Sequence, residues 1–305
     1  MKKFIFFLFI SLSLQPIAVL SADTQTQNTI QIAPLKYEEN LNLGDVKEGT
    51  IDVMNPTTKD EMIQVEATSL KMTGINGQLE FYNDQKSQGF EKFITFDSNQ
   101  FLLPAGEGKK VKFRLGIPIS ASSGAYFGAV FFRLVPDSID SSESKAIATG
   151  QAGTIFLLTV GQGDVRSGKL DSFNISGNPF SKKTVFEVEQ SNLSKYNTTP
   201  RGTYLKPTGT ITVKNIFGKV KSKQEISSYY VLPETKRIIK KELESPYLFG
   251  LYKAELSISN YPGDPVITKS SYFVKLAPAI LGLITFFALV IFTVISFVKP
   301  KLRKK

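Results

Sequence analysis

Side chains able to do chemistry are scarce in this sequence, and the missing types narrow the field first. Among its 305 residues there is no Cys, no His and no Trp. Thiol nucleophiles, imidazole bases, the usual zinc sites and disulfide frameworks are therefore excluded. What remains is carboxylate or Ser-Lys chemistry. Glu38-Glu39 and Asp60-Glu61 are adjacent pairs. On a strand, neighbours point to opposite faces, so these read as solvated surface and not as an acid/base pair. There is no P-loop, Gly-x-Ser-x-Gly elbow, dinucleotide fingerprint or EF-hand loop. No catalytic residue, metal ligand set or cofactor is expected, and the protein is not expected to be an enzyme. The basic run Lys236-Arg-Ile-Ile-Lys-Lys241 reads as an exposed face, and three glycosylation sequons begin at Asn174, Asn192 and Asn197.

Two apolar segments lie outside any soluble fold. Met1-Lys2-Lys3, the charge-free run Phe4 to Leu20 and Ser21-Ala22 have the order of a secretory signal peptide cut after Ala22. Leu20 stands where a small residue is usual, so a retained N-terminal anchor remains the alternative. Leu276 to Val298 is a second charge-free run, of 23 residues. As a helix it would reach about 35 Å, enough to cross a bilayer. Lys275 and Lys299 bracket it, and the tail 299–305 carries five basic residues. The positive-inside rule makes that tail cytoplasmic and residues 23–275 extracellular, in a single-pass plasma-membrane protein.

The chain has 37 basic and 27 acidic residues, but much of that excess belongs to the two termini. Split at Gly163, the expected domain boundary, residues 23–163 hold 12 basic and 17 acidic side chains, and residues 164–275 hold 18 and 10. The basic balance thus gives no argument for nucleic acid. A second half at +8 would be drawn towards anionic lipid headgroups or wall polyanions. Solvated strand faces without a partner are the alternative.

The ectodomain reads as all-β: two tandem immunoglobulin-like sandwiches, 23–163 and 164–275, followed by one transmembrane helix. Lys110 to Ile117 alternates, with Val111, Phe113, Leu115 and Ile117 on one face and charges on the other. Residues 210–214 and 254–259 do the same. Gly-Thr-Ile-Asp-Val-Met-Asn at 49–55 matches Gly-Thr-Ile-Thr-Val-Lys-Asn at 209–215 in five of seven positions, and Gly-x-Tyr follows each, at 124–126 and 250–252. Tyr126 and Tyr252 are assigned the structural tyrosine of an immunoglobulin corner, with Gly128 and Ala254 at the usual Cys position. Chance likeness between β-sequences is the competing account of the repeat.

If the repeat holds, the first domain carries about 34 extra residues, mostly within 73–100. The aromatics there make Phe81, Tyr82, Phe90 and Phe93 candidate ligand-binding residues; the alternative is a hairpin whose rings cap the core. Tyr126 to Val135 is apolar on both faces. Phe127 and Phe131 on its second face are further binding candidates, and that face should meet the insertion, the second domain or another protein. Pro136 to Gly153 reads as a hairpin loop and 162–168 as the hinge between domains.

Ile-Gln-Ile-Ala-Pro-Leu at 30–35, Gly-Thr-Ile-x-Val-x-Asn-Pro at 49–56, Phe-Leu-Leu-Pro-Ala-Gly-Glu at 101–107 and Ser-Gly-Ala-Tyr-Phe-Gly-Ala-Val at 123–130 resemble the first domain of WxL-interacting bacterial surface proteins. Segments 206–215, 231–237 and 248–252 resemble that family's second domain. The resemblance implies a bacterial cell-surface protein whose first domain engages peptidoglycan of the cell wall and whose second engages a surface protein or host component in adhesion. The expected partners are therefore the lipid bilayer through 276–298, peptidoglycan or wall polyanion, and surface proteins. A structural scaffold subunit of a membrane complex is the alternative function.

Overall fold

The structure is a computed structural model that describes residues 30–83, 89–135, 150–161, 166–196, 198–244, 250–276 and 278–302. The signal segment 1–22 and most of the loops expected at 136–153 and 162–168 lie outside the described residues.

The first domain contains β1 (Gln31–Ala33), β2 (Lys36–Leu41), β3 (Val46–Met54), β4 (Glu61–Thr73), β5 (Gln78–Tyr82), β6 (Ile94–Phe96), β7 (Gln100–Leu103), β8 (Gly108–Gly116), β9 (Gly124–Val135) and β10 (Gln151–Val160). One sheet has the order β1-β3-β8-β6; the other is β2-β10-β9-β4-β5, with β7 also on β4. The second domain contains β11 (Gly168–Ser176), β12 (Lys183–Asn192), β13 (Thr208–Asn215), β14 (Val220–Ile226), β15 (Thr235–Glu244), β16 (Gly250–Ser259) and β17 (Val266–Lys275). Its sheets are β11-β12-β15 and β14-β13-β16-β17. Each domain is an immunoglobulin-like sandwich closed over its own apolar core.

The alternation at 110–117 becomes β8, with Val111, Phe113 and Leu115 turned into the first core. Tyr126 forms the expected corner: its hydroxyl donates to Ser122 O at 2.8 Å. Gly124 and Gly250 both open their strands at φ +117, a backbone that L side chains rarely adopt. At position 128 a Cβ would overlap the Phe90 ring, so the core aromatic and the glycine are a matched pair.

Strand pairing corrects the seven-residue repeat. β9 and β16 are each flanked by the strand that follows and by one earlier strand, β4 in the first domain and β13 in the second. Residues 209–215 therefore occupy the place of β4, whereas 49–54 lie in β3, which pairs in the opposite sheet with β8, and Asn55 follows its end. The two segments look alike because both alternate and both end at an Asn that starts a turn. The counterpart of Asn55 is Asn192, which closes β12.

The side chains make the same bonds. Asn55 Oδ1 accepts from Thr57 N at 3.0 Å and from its hydroxyl at 2.7 Å, while Nδ2 donates to Lys59 O and Leu103 O at 2.7 and 3.0 Å. Asn192 Oδ1 accepts from Ser194 N at 3.1 Å and from its hydroxyl, while Nδ2 donates to Thr203 O and Val231 O at 2.8 and 2.9 Å. On this correspondence Asn to Tyr spans 71 residues in the first domain and 60 in the second, so the 34-residue estimate falls to 11. The first domain's additions are the 3₁₀ turn Phe90–Lys92, β6 and β7. The second domain's addition is the long β12–β13 connection, 193–207.

After β17 the chain enters α1 (Pro278–Leu302). Its described large apolar side chains, among them Leu283, Phe286, Leu289 and Ile291, are 41–69% exposed. Among the described residues no helix is long and apolar enough to cross a membrane. The span expected over 276–298 includes side chains outside that set, and it is taken up as a proposal below.

Candidate functional site

The candidate aromatics separate into three places. Phe90 and Phe93 are core residues: Phe90 packs 5.1 Å from Phe156, and Phe93 meets Tyr126 edge-on at 4.7 Å. Phe127 is buried between the domains, with Tyr196 and Tyr204 edge-on at 6.0 and 6.1 Å. Phe81 and Phe131 meet edge-on at 4.8 Å on the outer face of the β9-β4-β5 sheet. There Phe81 is 41% exposed, and Lys71 Nζ lies 5.5 Å over the neighbouring Tyr82 ring. The second face of β9 thus meets both the β5 hairpin and the second domain, two of the partners its composition called for.

Beside the two core rings the insertion makes a polar groove of about 590 Å³. Gln64 and Gln100 are paired across β4 and β7, and the lining also includes Glu66, Glu91, Thr95, Asn99 and the apolar Val65, Ala67, Ile94 and Phe96. The 3₁₀ turn builds its floor: Phe90 N donates to Ser69 Oγ at 3.0 Å, and Ser69 Oγ donates to Glu91 Oε2. Glu91 Oε1 is buried and, among the described residues, has no hydrogen-bond partner. On the other side of Phe96 a second groove of about 500 Å³ is lined by Glu48, Thr50, Asp97, Lys112 and Arg114. Amides, carboxylates and one half-buried ring suit hydrogen bonding to a hydroxyl- and amide-rich polymer. Sequence reasoning, following the aromatics of the insertion, passed over its amides. Among the described residues no group of three or more acidic side chains could hold a metal.

Glu38 requires a correction. Expected on the solvated surface, it is the acceptor at the centre of the domain interface. Tyr204 Oη donates to its carboxylate at 2.6 Å, Lys206 Nζ at 3.0 Å, Tyr230 Oη at 2.9 Å and Lys36 Nζ at 3.1 Å. Partial burial pushes the Glu38 carboxyl up, but the four donors outweigh it and hold its pKa at about 2. Burial likewise pushes the Tyr204 hydroxyl up, and its bond to Glu38 adds to that. Around this latch Leu70, Met72, Ala125, Phe127, Leu157, Tyr204 and Leu232 form a third apolar cluster that joins the two domains. Arg201, on the β12–β13 connection, donates its backbone N–H to Ser123 O at 2.7 Å and lays its guanidinium 4.3 Å over the Tyr126 ring. The second domain therefore docks on the tyrosine corner of the first.

The run 236–241 also divides. Lys236 and Lys240 pair across strands with Glu189 and Glu187 at 3.6 and 2.8 Å. Arg237 donates to Tyr230 O at 2.9 Å, and Ile238 N donates to Ile75 O of the first domain at 2.8 Å. Of the sequons, Asn192 is buried at 1% exposure, Asn174 is exposed on β11, and Asn197 lies outside the described residues.

No family model matches the sequence, and neither does any curated protein. Solved structures similar to it include the class 5 fimbriae chaperone CfaA, 13% identical over 81% of this chain and 100% of that one, with a TM-score of 0.36. The E. coli chaperone DraB is 11% identical over 81% and 96%, with a TM-score of 0.35. A CsuC–CsuE chaperone–tip adhesion subunit complex from Acinetobacter baumannii gives 12% identity over 79% and 97%, with a TM-score of 0.38. Likenesses of this size carry no argument about partner or activity.

Proposed function

We propose that this chain is a non-enzymatic bacterial surface protein, anchored by one helix over 276–298, whose first domain binds peptidoglycan. The groove beside the insertion carries the reading, because Gln64, Gln100, Asn99 and Glu66 gather amide and carboxylate groups there. The resemblance to WxL-interacting surface proteins supports the same assignment. The bilayer span rests on the 23-residue charge-free run and the five basic residues after it. It places 23–275 outside and the tail in the cytoplasm. The +8 second domain would add non-specific attraction to wall polyanions.

The test is retention of the full chain, in detergent, on insoluble peptidoglycan. Gln64→Ala with Gln100→Ala should abolish retention while far-UV dichroism is unchanged. Phe81→Ala with Tyr82→Ala should weaken it less, because that hairpin lies on another face. Equal retention by all variants would reject the groove.

The domain latch favours a second reading, a scaffold that holds a fixed spacing in a membrane complex. In that case the groove variants are silent, and exchanging 276–298 for an unrelated apolar helix releases the partner.

A further inference from the structure

Strand register fixes which loops of the second domain stand beside α1. Asn215 pairs with Tyr252, and Tyr252 with Phe273, so the end of β13 is level with a point two residues short of Lys275. The turn 216–219 continues past it by about two residues, roughly 7 Å, which brings Phe217 level with the point where the chain leaves β17. The β11–β12 loop is fastened to that same point. Leu276 N donates to Pro179 O at 2.9 Å. Lys275, which brackets the apolar run, is 3% exposed and donates to Ser181 O and Lys183 O at 3.0 and 2.8 Å.

These two loops carry apolar side chains that the fold leaves uncovered. Phe217 is 85% exposed, Ile216 63% and Phe180 38%. Beside them are the exposed Lys182 and Lys219, and neither loop, 177–182 or 216–219, contains an acid. The domain meets its neighbour at its opposite end, through 193–207 and the Glu38 latch, so the apolar tips belong to neither core nor interface.

An apolar tip flanked by lysines whose stems can extend to the headgroups is the pattern of a surface lying in a bilayer interface. We infer that the end of the second domain next to α1 is seated in the membrane interface, with Phe217, Ile216 and Phe180 among the upper acyl chains and Lys182 and Lys219 at anionic headgroups. This rests on the reading of 276–298 as a span. It adds a second contact that would fix the tilt of the ectodomain over the membrane, where a single helix would leave it free.

The absence of Trp makes the test direct, since each introduced Trp is the sole indole. Full-length Phe217→Trp, Leu102→Trp in the first domain and Phe287→Trp in α1 are each reconstituted in phosphatidylcholine–phosphatidylglycerol nanodiscs, with chains brominated at shallow or deep positions. The expected result is blue-shifted F217W emission quenched by shallow bromines, F287W quenched by deep ones, and L102W unquenched. Solvent-like, unquenched F217W beside quenched F287W overturns the inference while the span survives. Unquenched F287W overturns both. Blue-shifted but unquenched F217W means that protein, a second copy or another partner, covers the tip, and also overturns it.

Discussion

β9 and β16 hold the same place in their sandwiches. Each opens with a glycine at φ +117, carries a buried Tyr two residues on and lies between the following strand and one earlier strand. Beyond that they diverge. β9 is buried at nine successive positions, whereas β16 alternates, with Lys253, Glu255 and Ser257 on its outer face. The difference follows from what covers the second face: another domain over β9, water over β16. One strand role thus tolerates two sequence patterns, and the departure from alternation marks the interface.

Giving β9 the pattern of β16 should break this most. Phe127→Lys places a cation among Tyr196, Tyr204 and Leu157, and should cost about 3–5 kcal/mol and separate the domains. The reverse change, Lys253→Phe, should leave the thermal midpoint unmoved. Calorimetry with small-angle scattering reads both, and equal losses in the two domains would refute the contrast.

The paired asparagines come next. Asn55→Ala and Asn192→Ala each take a donor from two backbone carbonyls and remove the acceptor that holds the following turn, and should each cost about 2–3 kcal/mol. Hydrogen exchange should localise each loss to its own domain. A silent Asn192→Ala would undo the proposed equivalence.

Smaller effects should separate the two glycines. Alanine at either meets the same backbone strain, about 1–3 kcal/mol. At 124 the added Cβ also strikes the backbone of Arg201, whereas at 250 nothing lies within 4 Å. G124A alone should therefore loosen the interface, as read by distances between spin labels on cysteines introduced at Lys110 and Lys223.

The latch should show a pH dependence of its own. Glu38 has a folded pKa of about 2 against an ordinary 4.5, so its contribution is complete above about pH 4.5 and is lost as pH falls towards 2. The same label pair should broaden in that window in the parent and stay insensitive to it in Glu38→Gln.

The alternation at 110–117, the two-sandwich division and the Tyr126 corner were legible in the sequence because each depends on residues close together in the chain. The repeat at 49–55 and 209–215 misled because period-2 pattern identifies a strand but not its neighbours, which pairing across the fold decides. Glu38 was illegible for the same reason: Tyr204, Lys206 and Tyr230 lie 166, 168 and 192 residues away. Composition marked the insertion at 73–100 as unusual. Phe90 and Phe93 follow the alternative reading, rings that join the core; composition did not show that Gln64, Glu91 and Gln100 line a groove beside them.

The most direct test of the central claim is co-sedimentation of the full chain, in detergent micelles, with bare peptidoglycan across a salt series. Binding through the hydrogen-bonding groove predicts pelleting that persists at high salt and is lost in the Gln64→Ala, Gln100→Ala variant. Pelleting that needs wall polyanions and vanishes with salt would assign retention to the second domain's charge, and no pelleting at all would contradict wall binding outright.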